Sequence, residues 1–157
     1  MKIKLLVVGK TKDSSLIQLT EDYVKRLSHY TNFEFQIIPD LKKVKNLSKP
    51  EIKEKEGTII LNQLENADWV VVLDEKGKEY TSMQFSSFLQ KKMNAGHKQL
   101  IFIIGGPYGF SDAMYKRANE KLSFSKMTFS HQMIRLFAVE QIYRGFTILK
   151  NEPYHHE

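Results

Sequence analysis

The sequence predicts an α/β fold, with one domain built on a largely parallel sheet and helices on both of its faces. Two apolar runs, residues 69–73 and 100–104, lack polar alternation, which is typical of strands buried on both faces of a parallel sheet. Strand-like segments alternate with segments of helical period along the chain, as in consecutive βαβ units. A length of 157 residues suits a single domain with a substantial core.

A strand, a helix and a second strand are predicted at the start of the chain. Residues 2–8 are rich in leucine and β-branched residues, and residues 33–38 alternate apolar and polar side chains, so both segments are predicted as strands. Between them, Asp13 or Ser14 is expected to cap a helix. Its apolar positions are Leu16, Leu19, Tyr23, Val24 and Leu27.

A lysine-rich segment, residues 41–49, follows the second strand and has no apolar period, so it is predicted as an exposed loop. Ser48 and Glu51 have the spacing of a capping box, and Pro50 suits the first turn of a helix that extends to Leu64. The formal net charge of +6 permits binding to a phosphate-rich partner, although a basic surface kept for solubility is the simpler explanation.

The middle of the chain repeats this alternation. The strand at residues 69–73 is followed by a predicted turn around Gly77 that spans residues 74–80. Ser82 is expected to cap the next helix, and Gly96 is expected to end it. The apolar positions of that helix are Phe85, Phe88, Leu89 and Met93.

A glycine-rich turn, residues 105–109, connects the strand at residues 100–104 to a short helix that Ser111 opens. Ligands of open parallel sheets bind beyond the carboxyl ends of the strands, so this turn, residues 73–77 and residues 126–130 are expected to form one site. Glycines let the backbone approach a ligand, although a simple tight turn explains them equally well. Their spacing does not match the GxGxxG dinucleotide fingerprint.

The last part of the chain combines a short strand with a long helix. Leu122 begins an alternating, half-buried strand pattern, and Thr128 and Ser130 favour a turn or a helix N-cap. His131 and Arg135 fall on the packed stripe of the helix, so the guanidinium of Arg135 needs a partner inside the protein. The other members of this stripe are Ile134, Ala138, Gln141, Ile142, Gly145 and Leu149.

Composition excludes several kinds of site. The chain has no cysteine, so disulfides, a catalytic thiol and thiolate–metal sites are excluded, and a reducing cytoplasm is expected. The histidines lack ligand spacing, so no metal site is expected. The apolar run at residues 5–8 is too short for a signal peptide or a membrane span, so no membrane association is expected.

Seven segments together resemble one known family. In chain order, the segments IIGGPYG, LSFSKMTFSHQMIRL, EQIYRGF and NEPYHHE resemble the bacterial SPOUT-type methyltransferases that modify N3 of a pseudouridine in 23S rRNA. The resemblance also includes MKIKLLVVGK, KEKEG and VVLDEKGK, so it covers essentially the whole chain. One departure is Ser130, where the family commonly has proline. Serine caps helices well, so the turn is expected to survive.

The resemblance implies one SPOUT-like domain over residues 1–157 with a C-terminal trefoil knot, a rare exception to unknotted topology. It implies a homodimer with its sites at the interface, and Met133, Phe137 and Tyr143 extend apolar surface that suits dimerisation through the last helix. The implied partner is 23S rRNA in the large ribosomal subunit, and the implied cofactor is S-adenosylmethionine. Its pocket would be lined by Leu73, Gly105, Gly106, Phe124, Ser125, Lys126, Met127, Thr128 and Phe129.

Basic and aromatic residues of the last helix and tail are the candidate catalytic groups. Arg135, Arg144 and His155 would stabilise the anion that develops as the imide N3–H of the base leaves, or would bind phosphates, and Tyr154 would contact the base. The general base stays open between His131 and His155. The tail has no packing reason visible in the sequence, so it is predicted to close over the RNA side of the pocket.

Two other classes of function stay open at this point. A non-catalytic RNA-binding module would need the basic tail but not the cofactor loops. A small enzyme acting on a free nucleotide would not need the lysine-rich loop.

Overall fold

A computed structural model describes residues 1–156 of the chain, and Glu157 lies outside the described residues. Strands and helices alternate from end to end, as the sequence predicts. In chain order they are β1 (Lys2–Val8), α1 (Ser14–Leu27), β2 (Asn32–Ile38), α2 (Lys49–Leu61), β3 (Trp69–Glu79), α3 (Ser82–Asn94), β4 (Gln99–Ile104), α4 (Asp112–Arg117), β5 (Glu120–Ser123) and α5 (Met133–Leu149).

The five strands form one sheet in the order β2-β1-β4-β3-β5, and every neighbouring pair is parallel. Successive side chains of a strand point to opposite faces, so β1 and β4 contribute apolar residues to two cores. Leu5 and Val7 belong to one core, and Leu6 and Val8 to the other. The predicted parallel sheet is therefore confirmed.

Helices cover both faces of the sheet, as predicted. The first core contains Leu27 of α1, Leu89 of α3 and Ile142 of α5. The second contains Ile60 of α2 and Met114 of α4. The carboxyl ends of all five strands consequently point to one edge of the molecule, where the connecting loops meet. The trefoil knot implied by the resemblance stays a prediction.

Local capping signals in the sequence locate several helix starts correctly. The Asp13 side chain accepts a hydrogen bond of 2.9 Å from the Leu16 N–H and caps α1. Ser48 and Glu51 form the predicted capping box of α2. The cap of α3 differs from the prediction, because Thr81, and not Ser82, occupies the N-cap and pairs with Gln84 in a second capping box.

The predicted turn at residues 74–80 is wrong, because β3 continues to Glu79. Leu122 of β5 pairs with Leu73 and also with Lys78, so the residues between these two bulge out of the ladder. Gly77 makes this possible: a Cβ there would lie 2.5 Å from the Leu122 carbonyl carbon. The bulge places its side chains above the carboxyl edge of the sheet, which a simple turn would not do.

Smaller differences concern element ends. Helix α2 ends at Leu61 and not at Leu64, and β5 begins at Glu120 and ends before Phe124. Leu19, predicted on the packed stripe of α1, is 46% exposed.

Two kinds of feature are absent from residues 1–156. No helix in this range is both long enough and apolar enough to cross a membrane. The same residues contain no group of three or more histidine, aspartate or glutamate side chains that could hold a metal ion.

Candidate active site

A cavity of about 610 Å³ opens at the carboxyl edge of the sheet. Its walls come from the β3 bulge, the glycine-rich turn after β4 and the loop after β5, and its volume is within the range of small-molecule sites. Lys126 belongs to the last loop but does not line the cavity. The other expected cofactor residues do line it: Leu73, Gly105, Gly106, Phe124, Ser125, Met127, Thr128 and Phe129.

Glu56 supports the glycine-rich turn from below. Its carboxylate accepts a 2.6 Å hydrogen bond from the Gly106 N–H, and a Cβ at position 106 would lie 2.2 Å from the same carboxylate. A Cβ at position 105 would lie 2.9 Å from the Phe110 ring. Both glycines therefore permit close approach within the protein, and their backbone faces the cavity.

Burial raises the pKa of the Glu56 carboxyl, and the hydrogen bond from Gly106 partly opposes this effect. The side chain is only 7% exposed. Sequence reasoning missed Glu56, since a glutamate in a lysine- and glutamate-rich helix is normally on the surface. The one signal available in the sequence is the adjacent Gly57. In the structure, a Cβ at position 57 would lie 2.3 Å from the Ser111 hydroxyl, so this glycine marks the face of α2 that packs closely against the protein.

Asp74 and Tyr115 form a second polar contact at the cavity wall. The Tyr115 hydroxyl donates to one Asp74 carboxylate oxygen, and the other oxygen accepts a 2.8 Å bond from the Lys76 N–H in the bulge. Burial and the contact with Asp74 raise the pKa of Tyr115 to about 12, so it stays a neutral phenol at physiological pH. This pair, which the sequence did not predict, fixes the bulge to α4.

The loop after β5 is held by its own serines. The Ser123 hydroxyl donates to the Ser125 carbonyl oxygen at 2.9 Å, and the Ser125 hydroxyl accepts from the Met127 N–H at 2.9 Å. Ser130 accepts from the Met133 N–H at 3.1 Å, so the expected turn is present, but the N-cap position of α5 is Gln132 and not Ser130. The loop has a defined conformation and still leaves Met127 78% exposed at the cavity mouth.

Arg135 is buried behind the cavity and does not line it. The guanidinium is 2% exposed and donates to the carbonyl oxygens of Val8, at 2.6 Å, and Gly9, at 2.7 Å, and to the Thr11 hydroxyl, at 3.2 Å. The partner that the sequence required is therefore the carboxyl end of β1. These contacts give Arg135 a structural role, since the guanidinium does not reach the cavity.

His131 lies at the cavity wall beside Arg135. Burial lowers the pKa of its imidazole, and the positive charge of Arg135 lowers it further. A hydrogen bond with the Val8 backbone opposes these effects. The neutral imidazole is therefore the favoured form near pH 7, and it can accept a proton.

Arg144, Tyr154 and His155 come together at the far end of α5, around Glu140. Arg144 forms an ion pair of 2.6 Å with Glu140, and its Nη1 lies 3.2 Å from His155 Nδ1. Because a guanidinium only donates, Nδ1 is the acceptor in this contact. The Tyr154 hydroxyl donates to Glu140 at 2.9 Å and therefore accepts from the Tyr23 hydroxyl at 3.0 Å. We call these five side chains the tail cluster.

The tail is packed against the protein, in contrast to the absence of packing inferred from the sequence. The Tyr154 ring lies 4.8 Å from the Tyr143 ring and under the Arg144 guanidinium, at 4.7 Å. Burial raises the pKa of Tyr154 well above its usual range, and the hydrogen bonds with Tyr23 and Glu140 raise it further. Tyr143 is itself buried, so the prediction that it extends the outer apolar surface is wrong.

The cavity and the tail cluster lie apart within one chain. Ile134 of α5 lines the cavity, whereas none of the tail cluster does. Arg144 follows Ile134 by ten positions, which corresponds to roughly 15 Å along a helix. One chain therefore presents two separate polar surfaces.

Comparison with known proteins relates this architecture to one family. A family model described as "Predicted SPOUT methyltransferase" matches residues 1–155. The chain belongs to the SPOUT methyltransferase family. This result confirms the resemblance found in the sequence.

The relatives of this SPOUT methyltransferase match it over its full length. A protein of Parabacteroides distasonis named "Ribosomal RNA large subunit methyltransferase H" is 60% identical, with both chains covered completely. A protein of the same name from Christiangramia forsetii is 61% identical, with 99% of each chain covered. Among solved structures, the tRNA (m1G37) methyltransferase from Aquifex aeolicus matches with a TM-score of 0.58 at 16% identity, over 100% of this chain and 76% of the other. That last similarity concerns the fold alone.

Proposed function

We propose that this SPOUT methyltransferase transfers a methyl group from S-adenosylmethionine to N3 of a pseudouridine in 23S rRNA of the large ribosomal subunit. The observation that carries the proposal is full-length identity of about 60% to proteins named as large-subunit rRNA methyltransferases. Conservation of length and sequence at this level favours the same substrate class. The expected place of action is the cytoplasm, where ribosomes are.

The cavity has the chemistry that S-adenosylmethionine requires. Its volume suits a nucleoside-sized ligand, and the glycine-rich turn presents backbone groups to it. Leu73, Phe124 and Phe129 supply apolar and aromatic walls for an adenine ring. When bound there, the cofactor would supply an electrophilic methyl group. We assign the cavity-lining residues of the three loops to cofactor binding; Lys126 of the last loop does not line the cavity and is not assigned to the cofactor.

The tail cluster has the chemistry that the nucleotide requires. The N3 position of a uracil-type ring must lose its proton, and the negative charge spreads to the neighbouring carbonyl oxygens. Arg144 donates in several directions and would stabilise that charge, with His155 beside it. Tyr154 stays protonated because of its raised pKa, so it does not act as a base. Its hydrogen is donated to Glu140, so it would contact the target base through its ring.

The separation of cavity and tail cluster favours a homodimer. In a two-fold dimer each cavity would face the tail cluster of the partner subunit, and the two surfaces would form one complete site. Met133 and Phe137 are half-buried on α5, and Phe137 packs against Phe129 of the cavity loop, with ring centroids 5.0 Å apart. This apolar surface lies between the two halves of the site, where a partner would cover it.

The proposal is tested by mass spectrometry of 23S rRNA from a strain lacking the gene, with and without complementation. Loss of one methyl group from a pseudouridine, restored by the wild-type gene, is expected. An unchanged methylation pattern of 23S rRNA in the deletion strain would contradict the proposed function. In vitro transfer to ribosomal particles, with free nucleosides as the comparison, distinguishes an rRNA enzyme from one acting on small nucleotides.

A further inference from the structure

Two loops beside the cavity carry a concentration of positive charge. The loops after β1 and β2, together with the first residue of α2, contain six lysines, all of them exposed, which we call the lysine edge. The same loops contain only two carboxylates, Asp13 and Asp40. The members of the lysine edge are Lys10, Lys12, Lys42, Lys43, Lys45 and Lys49.

The strand order places the lysine edge next to the cavity. The cavity loops follow β4, β3 and β5, and β1 and β2 continue the same sheet on the other side of β4. All strands are parallel and neighbouring strands lie about 4.8 Å apart, so these loops form one continuous border. Lys49 connects the two parts, since its Nζ lies 5.6 Å from the ring centroid of Tyr108, which lines the cavity.

The charge of the lysine edge is not neutralised within residues 1–156. No lysine of the edge lies within 4.0 Å of a carboxylate oxygen in this range, whereas Lys2, Lys4 and Lys92 each form ion pairs. Of the two aspartates, Asp13 caps α1 and Asp40 faces Gly9. The negative charge of Asp40 also acts on the buried Arg135, where it partly opposes the lowering of the arginine's pKa by burial.

We propose that the lysine edge binds the phosphates of the rRNA strand on one side of the nucleotide that enters the cavity. Exposed lysines act as mobile point charges, which suits a phosphate backbone read without regard to base identity. The cavity and the tail cluster would then contact the base, and the lysine edge would fix the position of the strand. This inference rests on the proposed function.

The experiment compares two triple variants with equal changes in charge. Lys10, Lys42 and Lys45 are replaced by glutamine in one variant. This choice avoids Lys43, whose φ is 58°, and Lys49, which contacts Tyr108. The control replaces Lys25, Lys91 and Lys98, which are also exposed but lie at the opposite edge of the sheet or at the helix ends beside it.

Methyl transfer to ribosomal particles from the gene-deletion strain is measured across a range of salt concentrations. The lysine-edge variant should show a KM for particles raised about fivefold or more, with S-adenosylhomocysteine affinity unchanged. The slope of log affinity against log salt should become shallower by about 2 to 3, since each lost phosphate contact removes about one unit. The control variant should behave like the wild type.

Different failures have different meanings. A wild-type protein that methylates no rRNA overturns the proposed function, and the inference falls with it. An active wild type with equal KM values and salt slopes in both variants overturns the inference alone. A lysine-edge variant that sediments as a monomer, where the wild type is a dimer, would make the edge a subunit contact and also overturns the inference.

Discussion

Glu56 illustrates what single residues contribute to the candidate site. The sequence predicted the glycine-rich turn as a ligand-binding element, because glycines at the end of a buried strand are a local signal. It could not predict the carboxylate below that turn, because Glu56 and its exposed neighbour Glu54 look alike in one sequence. Only the packing of α2 against the loop selects one of them.

Two substitutions of Glu56 should distinguish the effect of its hydrogen bond from the effect of its charge. Glu56→Ala leaves the Gly106 N–H without an acceptor, which should cost about 1–3 kcal/mol in the free energy of unfolding. Glu56→Gln keeps an acceptor of the same shape and should cost less. Urea denaturation and calorimetry with S-adenosylhomocysteine measure both effects, and we expect affinity to fall more in the alanine variant. Equal affinity in all three proteins would show that the turn does not depend on Glu56.

His131 should make stability depend on pH in a defined direction. Its pKa is lowered in the folded protein from the ordinary 6.5, so the unfolded chain binds a proton first as the pH falls. The stabilisation that results from keeping the imidazole neutral is present above pH 6.5, the pKa in the unfolded chain. It is lost as the pH falls through the lower pKa of the folded state. Denaturation at about pH 7.5 and about pH 5.5 should show a smaller difference for His131→Gln than for the wild type.

The matched control for this measurement is His29→Gln, since His29 is exposed. It should retain the pH dependence of the wild type. If His131→Gln and His29→Gln behave alike, the titration of His131 does not contribute to stability.

At the scale of elements, helix caps and the periodic patterns of helices and strands were predictable, and contacts between residues distant in sequence were not. The caps of α1, α2 and α4 were found from local sequence, since each depends on one side chain and a nearby N–H group. The bulge in β3 was missed because its cause is Leu122, distant in sequence, against which only a glycine fits. The buried position of Arg135 was predicted from helical period, but its carbonyl partners on β1 required the fold.

Arg135 should act as a connection between α5 and β1. Arg135→Ala removes three hydrogen bonds from a charged donor and leaves two carbonyl oxygens buried, so unfolding free energy should fall by roughly 3 kcal/mol. Because His131 and Ile134 on the same segment line the cavity, cofactor affinity should fall as well. Denaturation and calorimetry test this. A stable variant with normal cofactor affinity and lost methyl transfer would instead support a direct catalytic role.

At the scale of the whole molecule, the sequence predicted the cavity loops and the polar residues of the last helix and tail as candidates, but not the distance between them. Arg144, Tyr154 and His155 became candidates because basic and aromatic residues are dense in the last helix and its tail, and the structure brings these three together. The distance from that cluster to the cavity follows from the straight length of α5, which is a property of the folded helix. Association of two chains is the simplest way to join surfaces that one chain keeps apart.

A mixed dimer tests this association directly. Arg144→Ala disables the tail cluster, and Thr128→Trp should fill the cavity from an exposed position without disturbing the core. Each variant alone should transfer methyl groups at about one hundredth of the wild-type rate or less. In a mixed dimer, one site would combine an intact cavity from the first variant with an intact tail cluster from the second.

Co-expression at equal levels makes about half of the dimers mixed, and each mixed dimer would have one complete site of two. Activity should therefore return to about a quarter of the wild-type rate, although neither variant works alone. Differently tagged subunits allow the mixed dimer to be purified and its rate measured separately. If cavity and tail cluster act within one subunit, every site in the mixed dimer keeps one defect and the rate stays at the level of the single variants. That result would require α5 and the tail to move toward their own cavity when RNA binds.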